Sequence, residues 1–287
     1  MNKLIINSTP TGMIPMKEMT PHVPLSTTEI AEEVHASHEG GITMVHLHVS
    51  EPTSGKLSYK KEFYAELIKG IRSYAPELVI GVSLSGRNVH EFEKRAEPLE
   101  LEGHLKPGAG SLTLSSLNFN KQASINEPEI IMKLAKRMLE RGISPELEVF
   151  DSGMINYAKY LNKKGLIVPL FFNLILGNIA CAQPNLLHLG VMINDLPPDS
   201  IWSVGAIGDF QLAMNSVAMA MGSGVRVGLE DNIWLDPSRT ELARNLDLVN
   251  RIHVLQEANG REMMSSAELR DILKLEAGNN GRCGIKP

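Results

Sequence analysis

Two histidines one residue apart, His46 and His48, lie in the apolar run Met44-Val-His-Leu-His-Val-Ser50. A strand turns residues i and i+2 to the same side, about 6.6 Å apart along the chain. Two imidazoles placed that way can grip one metal ion. A later run, Gly224-Val-Arg-Val-Gly-Leu-Glu-Asp-Asn232, carries Glu230 near its end. Two neutral histidines and one carboxylate make a zinc set whose fourth position stays open for chemistry. A lone histidine is more simply read as a buried, hydrogen-bonded side chain. A pair at a strand end, with a strand-end glutamate elsewhere, favours the metal.

Strand parity puts Arg226, Gly228 and Glu230 on one face, so Arg226 is expected to point inward beneath Glu230. A buried guanidinium needs a partner, and Asp231 is the best placed, provided the chain turns there. Beside a fixed arginine, Asp231 is expected to keep a low pKa, and to serve as a base once a metal has acidified the substrate. A purely structural Arg226–Asp231 clamp is the alternative. Ser83, Ser85 and Gly86, in Val82-Ser-Leu-Ser-Gly86, could hold a carboxylate, as could Ser111 and Thr113 in the next run. Turn chemistry explains the same residues equally well. Glu146 and Glu148 share one face of Pro145-Glu-Leu-Glu-Val-Phe-Asp151, where two inward carboxylates call for a cation. The Gly205-Ala-Ile-Gly208 stretch could offer backbone N–H groups to a phosphate, or be a simple glycine turn.

These residues need a scaffold that gathers strand ends. Eight short apolar runs, at 4–8, 44–50, 78–85, 111–118, 146–151, 169–176, 202–208 and 225–230, read as strands buried on both faces of a parallel sheet. Helical patterns separate them. Ser26-Thr-Thr-Glu29 is a capping box, and that helix stops near Gly40-Gly41. Pro128 opens a helix that ends at Gly142. Segments 59–74, 154–164, 184–194, 211–221 and 237–259 read similarly, and 265–275 is an extra terminal helix. Eight strand–helix units imply an α/β fold, a (β/α)8 TIM barrel spanning 1–287 as one domain with a flexible tail at 278–287. The competing architecture is an open doubly wound sheet. The connection from Thr9 to Leu25 is long and is expected to line or cover the barrel mouth.

Composition narrows the function classes. The 287 residues are 43% hydrophobic and 21% charged, with a net charge of −5. No basic block invites nucleic acid. The longest apolar stretch, 166–182, is broken by Pro169, Asn173 and Asn178, so it reads as a strand and loop and not a membrane span. The first residues lack the apolar core of a signal peptide. Cys181 and Cys283 form no C-x-x-C pair, which fits a reducing cytoplasm. No phosphate-binding, dinucleotide-binding, nucleophile-elbow or H-E-x-x-H motif occurs. The 14 methionines read as core filler.

Val45-His-Leu-His48, Arg95 with Pro98-Leu99, Lys106-Pro107, Ser111-Leu112, Leu117-Asn-Phe119, Pro145-Glu-Leu-Glu-Val-Phe-Asp-Ser-Gly-Met154 and Arg226-Val-Gly-Leu-Glu-Asp-Asn-Ile233 together resemble the zinc-dependent β-keto acid cleavage enzyme family. The resemblance runs from about residue 4 to 275. It implies a TIM barrel with Zn2+ on His46, His48 and Glu230. It implies acyl exchange between a β-keto acid and acetyl-CoA, giving acetoacetate and a new acyl-CoA. Arg226 and Asp231 would supply the base, Ser83 and Ser111 would hold the keto acid, and Glu148 would support. Family members tend to be homotetramers, so a homo-oligomer is implied.

Some positions depart from the family. Aminohexanoate-type members carry a glutamate soon after strand one, where this chain has Thr11-Gly-Met-Ile-Pro15. An ammonium there would be unpaired, so a neutral or apolar acyl chain is expected. Ser50 and Asp209 stand where an arginine is common, which removes positive charge near the mouth. Two other readings remain open. One is a metal-dependent hydrolase of the amidohydrolase kind, although that design usually draws further histidines from strands five and six. The other is a non-catalytic metal-binding barrel.

Overall fold

The computed structural model describes residues 3–51 and 55–275. Eight apolar segments form parallel strands: β1 (Ile6–Ser8), β2 (Met44–Leu47), β3 (Val79–Val82), β4 (Ala109–Thr113), β5 (Ser144–Val149), β6 (Phe171–Leu176), β7 (Ile201–Ala206) and β8 (Gly224–Val227). Each pairs with its sequence neighbours. β1 pairs with both β2 and β8, so the sheet closes into a barrel. Closure removes the open doubly wound sheet from consideration.

The helices are α1 (Thr27–Glu39), α2 (Lys61–Arg72), α3 (Phe92–Ala96), α4 (Pro128–Arg141), α5 (Ser152–Lys163), α6 (Leu186–Asp195), α7 (Gln211–Met221), α8 (Asn245–Ala258) and α9 (Ser266–Leu273). Local signals set their ends. Ser26 and Glu29 form the reciprocal capping box of α1. Pro128 starts α4, and Gly142, at φ +66°, stops it in the left-handed region. The last long helix starts later than the expected 237, because the Asp236 carboxylate accepts from the backbone N–H groups of Thr240 and Glu241. A side chain that takes up local N–H groups competes with helix formation.

Period-two alternation stacks the barrel interior in layers. Ile5, Met44, Val79 and Phe171 form an apolar floor, closed from below by Leu269 and Leu273 of α9. Two residues further on, the same strands present Asn7, His46, Gly81 and Asn173. β5 and β8 add Glu146 and Arg226 to this polar level, and all of these polar side chains are buried. Helices cover the outside of the barrel with a continuous apolar core.

Six strands end sooner than their apolar runs, among them β2, β4 and β8. β2 stops at Leu47, and Val49–Ser50 forms a hairpin with Leu57–Ser58. β4 stops at Thr113, and Leu117–Asn118 pairs antiparallel with Ala123–Ser124. β8 stops at Val227, so Glu230 lies in a turn. The expected tail at 278–287 and Cys283 fall outside the described residues. Among the described residues no helix is long and apolar enough to cross a membrane.

Candidate active site

His46 and His48 leave β2 on the same side, as parity requires. Their Nε2 atoms are 3.3 Å apart, and Glu230 Oε1 is 3.3 Å from His48 Nε2. One ligand atom from each of His46, His48 and Glu230 can be chosen so that all three lie within 4.8 Å of one another. The His46 ring is fixed from behind: its Nδ1 lies 2.8 Å from Glu146 Oε2. That contact leaves Nε2 facing the lumen. A carboxylate behind a metal-ligating imidazole sets its tautomer and orientation. Glu146 is itself held by Asn7 Nδ2 at 2.7 Å and by a short hydrogen bond from Asn173 Nδ2. Glu230 Oε2 is buried without a hydrogen-bond partner. A buried carboxylate beside two imidazoles, with one oxygen left without a partner, fits a divalent cation, and the His2Glu donor set fits zinc.

Glu230 reaches this place by a turn and not by strand parity. Gly228 allows it: a Cβ there would sit 2.1 Å from the Thr9 carbonyl oxygen. Asp231 N–H and Asn232 N–H then donate back to Gly228 O, and Glu230 N–H donates to Thr9 O at 3.2 Å. The turn brings two successive carboxylates to one guanidinium. Arg226 Nη2 lies 2.9 Å from Glu230 Oε1, and Arg226 Nε lies 2.8 Å from Asp231 Oδ2. Gly205 of β7 makes room for the arginine, since a Cβ there would meet its Cβ at 3.1 Å. The long connection from Thr9 to Leu25 lines the mouth as expected. Gly12 packs directly on Glu230, and Asn245 Nδ2 ties down Pro10 O at 3.1 Å.

The electrostatics separate the acids. Burial pushes Glu230 upward, but Arg226, His48 and His46 more than reverse this and hold it well below the usual carboxylate range. Asp231 goes the other way. Burial raises it, the Glu230 charge adds to the rise, and Arg226 only partly offsets them. The expected low pKa at Asp231 is therefore corrected, because one guanidinium is shared by two acids. Burial opposes protonation of His46, but Glu146 and Glu230 lift its pKa to about 9. Glu146 is lowered, its burial outweighed by His46 and Arg226.

The remaining expected residues divide into engaged and free. Ser111 Oγ accepts from Leu84 N–H at 3.0 Å, and Thr113 Oγ donates to Glu148 at 2.6 Å. Ser85 Oγ donates to Met13 Sδ at 3.2 Å. Gly86 admits Arg95, whose Nη1 would lie 2.8 Å from an added Cβ, and the loop carbonyl of Ile125. Ser83 lines the same wall as Met13 and His48, and its hydroxyl makes no hydrogen bond among the described residues. The phosphate reading of Gly205-Ala-Ile-Gly208 is corrected. Gly208 N–H donates to Asp231 O at 2.7 Å and Ile207 N–H to Leu176 O at 3.0 Å, so neither faces a ligand. Asp209 recruits its own cation, Arg239, in a two-point pair. Ser50 is buried in its hairpin.

Asn7, Asn173 and Gly12 were not singled out beforehand, and Glu146 was not placed behind His46. The signal for the asparagines was present: a carboxamide inside a run such as Phe171-Phe-Asn-Leu-Ile-Leu176 must find a buried partner. Strands β5 and β6 contribute no histidine, which removes the ligands an amidohydrolase-like site usually needs.

A closed (β/α)8 barrel with a His–His–Glu set and a braced aspartate beyond its strand ends has the framework of a barrel enzyme. The family model of the beta-keto acid cleavage enzyme matches residues 3–275, and the chain belongs to that family. It is 36% identical over 279 residues to 3-keto-5-aminohexanoate cleavage enzyme of Fusobacterium nucleatum, covering 96% of this chain and 99% of that one. It is 34% identical over 275 residues to 3-oxoadipate:acetyl-CoA acetyltransferase of Cupriavidus necator, covering 94% of each. In fold it is similar to ObcA, solved as a binary complex with oxaloacetate, at a TM-score of 0.77 and 19% identity over 88% of this chain and 67% of that one.

Proposed function

We propose that this chain exchanges acyl groups between a β-keto acid and acetyl-CoA, releasing acetoacetate and a new acyl-CoA. The observation that carries this reading is the adjacency of a cation site to a base: Glu230 and Asp231 follow one another and share Arg226. The relatives' names, which include an acetyl-CoA acetyltransferase, support the second substrate.

His46, His48 and Glu230 would hold zinc, which when bound would draw off negative charge developing on the keto acid oxygens. Asp231, raised by burial and braced by Arg226, takes the C2 proton of the keto acid. The free hydroxyl of Ser83 holds the keto acid carboxylate, and Glu148, hydrogen-bonded to Thr113, supports the wall beside it. Ser85, Gly86 and Ser111 shape that wall. The C2 carbon then bonds to the thioester carbon of acetyl-CoA, and the CoA thiolate leaves. The thiolate adds to the former keto carbon, the C2–C3 bond breaks, and Asp231 returns its proton to C2. The products are acetoacetate and the acyl-CoA of the original chain.

The finer assignments follow from the same reading. A homo-oligomer, a tetramer by family resemblance, is supported by apolar side chains left on the surface of α6, where Leu186 is 69% and Leu187 74% exposed. A cytoplasmic setting is supported by the free thiol of Cys181. The deciding experiment is turnover of a β-keto acid panel with acetyl-CoA, run beside Asp231→Asn. The variant should keep about one zinc per subunit and lose ~10²–10⁴-fold in turnover. Full activity in Asp231→Asn removes the base assignment.

A further inference from the structure

Arg87 stands outside the chemistry described so far. It follows the β3 wall residues Ser83, Ser85 and Gly86. Its own backbone N–H donates to Ser85 Oγ at 3.3 Å. Its guanidinium carbon lies 3.5 Å from the ring centroid of Phe119, so the cation is held over the face of the ring. That ring is a fixed platform. Phe119 N–H donates to Gln122 O at 2.9 Å across the hairpin turn, and its ring packs edge-on against Phe150 at 5.7 Å. Gln122 also reaches back to Asn88 at 3.0 Å, fastening the Arg87 loop to the same hairpin.

The guanidinium makes no hydrogen bond and no ion pair among the described residues. Its Nε is buried without a partner. The charges of Glu230 and Glu148 act on it, which places it within electrostatic reach of the site. A stacked arginine keeps its in-plane N–H groups free for two-point capture of an oxyanion. A buried, unpaired donor is unfavourable unless something arrives to meet it.

We propose that Arg87 is a docking arm for an anionic group carried by a ligand in the barrel mouth, a carboxylate or a phosphate taken edge-on while the guanidinium face rests on Phe119. This rests on the functional reading above, in which both co-substrates are anions. Three sources share the chemistry: the far carboxylate of a dicarboxylic β-keto acid, the C1 carboxylate common to every β-keto acid, and the phosphates of CoA.

The test is calorimetric binding to the zinc-loaded protein, wild type and Arg87→Ala. The ligands are CoA and a dicarboxylic and a monocarboxylic β-keto acid of equal length. Loss of about 10–100-fold in affinity is expected in at least one arm. A loss for the dicarboxylic acid alone identifies the far carboxylate. An equal loss for both keto acids identifies C1, and a loss for CoA alone identifies the phosphates. Arg87→Lys, which keeps the charge without the planar fork, should fall between wild type and Arg87→Ala. Unchanged affinity in all three arms overturns the inference. So does an equal loss in all three accompanied by a lowered thermal midpoint, because that reports general damage. Wild type that binds these ligands yet turns over neither keto acid with acetyl-CoA refutes the functional reading, while the binding arms still decide Arg87. Wild type that binds none of them overturns both.

Discussion

Gly12→Ala is a small change with a large expected consequence. An added Cβ at this position would lie 2.2 Å from Glu230 Cγ and 2.8 Å from its Cδ. Carbon–carbon contacts settle near ~3.5 Å, a shortfall of about 1.3 Å. Neither side yields easily. The loop is tied at Thr9 by hydrogen bonds to Val227 O and from Glu230 N–H, and at Pro10 by Asn245. Glu230 is held by Arg226 at 2.9 Å. Relief of the overlap must move the carboxylate by roughly an ångström, whereas a metal–oxygen distance tolerates about 0.2 Å. Zinc affinity should fall at least ~10²-fold, equivalent to about 2.8 kcal/mol. The value of kcat/KM should fall by about 10²-fold or more. Chelator competition reads the first and steady-state kinetics the second. Gly190→Ala is the control: nothing lies within 4 Å of its added Cβ on α6, and it should leave activity intact. Gly12→Ala with wild-type zinc affinity and kcat/KM within about twofold would refute the claim that this loop positions Glu230.

Glu146→Gln should weaken zinc binding ~10–100-fold, because it removes the carboxylate that orients His46; chelator competition unchanged by the substitution would show that orientation comes from elsewhere. The amino-substituted keto acid should have a kcat/KM at least ~10²-fold below the best neutral one, since Met13 and Ile14 offer an ammonium no partner; equal rates would contradict this. Glu29, in the α1 capping box, has its pKa lowered from the ordinary 4.5 to about 2, burial being outweighed by Lys17 and the backbone N–H groups of Ser26 and Leu25. Its stabilisation is therefore complete above pH 4.5 and disappears as pH falls towards 2. Glu29→Gln should lower stability by about 0.5–1 kcal/mol near neutrality, a small figure because the pair with Lys17 is exposed. Urea titrations at pH 7 and 3 should show the gap between the two proteins narrowing at the lower value, and a constant gap would assign the effect to something other than ionisation.

The barrel and its histidine pair were readable because the signals are local. Eight apolar runs with helix caps between them need no tertiary knowledge, and His46 and His48 share a face by parity within one strand. The parity argument for Glu230 was wrong, whereas the chain turn that an Arg226–Asp231 pair required is present. Parity was carried past Val227, where the close approach of Thr9 to Gly228 turns the chain. That contact joins residues over two hundred positions apart and leaves no mark in either segment alone. The place of Glu146 behind His46 was not legible for a related reason. Glu146 and Glu148 both point inward from β5, but only the heights of β2 and β5 decide which meets His46. Those strands are separated in the sheet by β3 and β4 and meet across the lumen.

One arginine between two consecutive carboxylates explains how neighbouring residues can take different roles. Alone, two buried acids at this spacing would raise one another. Arg226 gives Nη2 to Glu230 and Nε to Asp231, and His48 lies 3.3 Å from Glu230, with both imidazoles lowering the Glu230 pKa. The positive field therefore falls mainly on Glu230, which stays ionised and suited to a cation. Asp231 is left with burial, its neighbour's charge and a shared partner, and its affinity for a proton rises. Acids pushed apart in this way mark division of labour between a permanently charged group and one that exchanges protons. Replacing Arg226 with a lysine would keep one charge and lose the fork. Arg226→Lys is therefore expected to disturb Glu230 and Asp231 together, lowering zinc affinity and turnover in one step, whereas Asp231→Asn lowers turnover alone. Equal and small effects of Arg226→Lys on both readouts would show that the two acids are positioned independently.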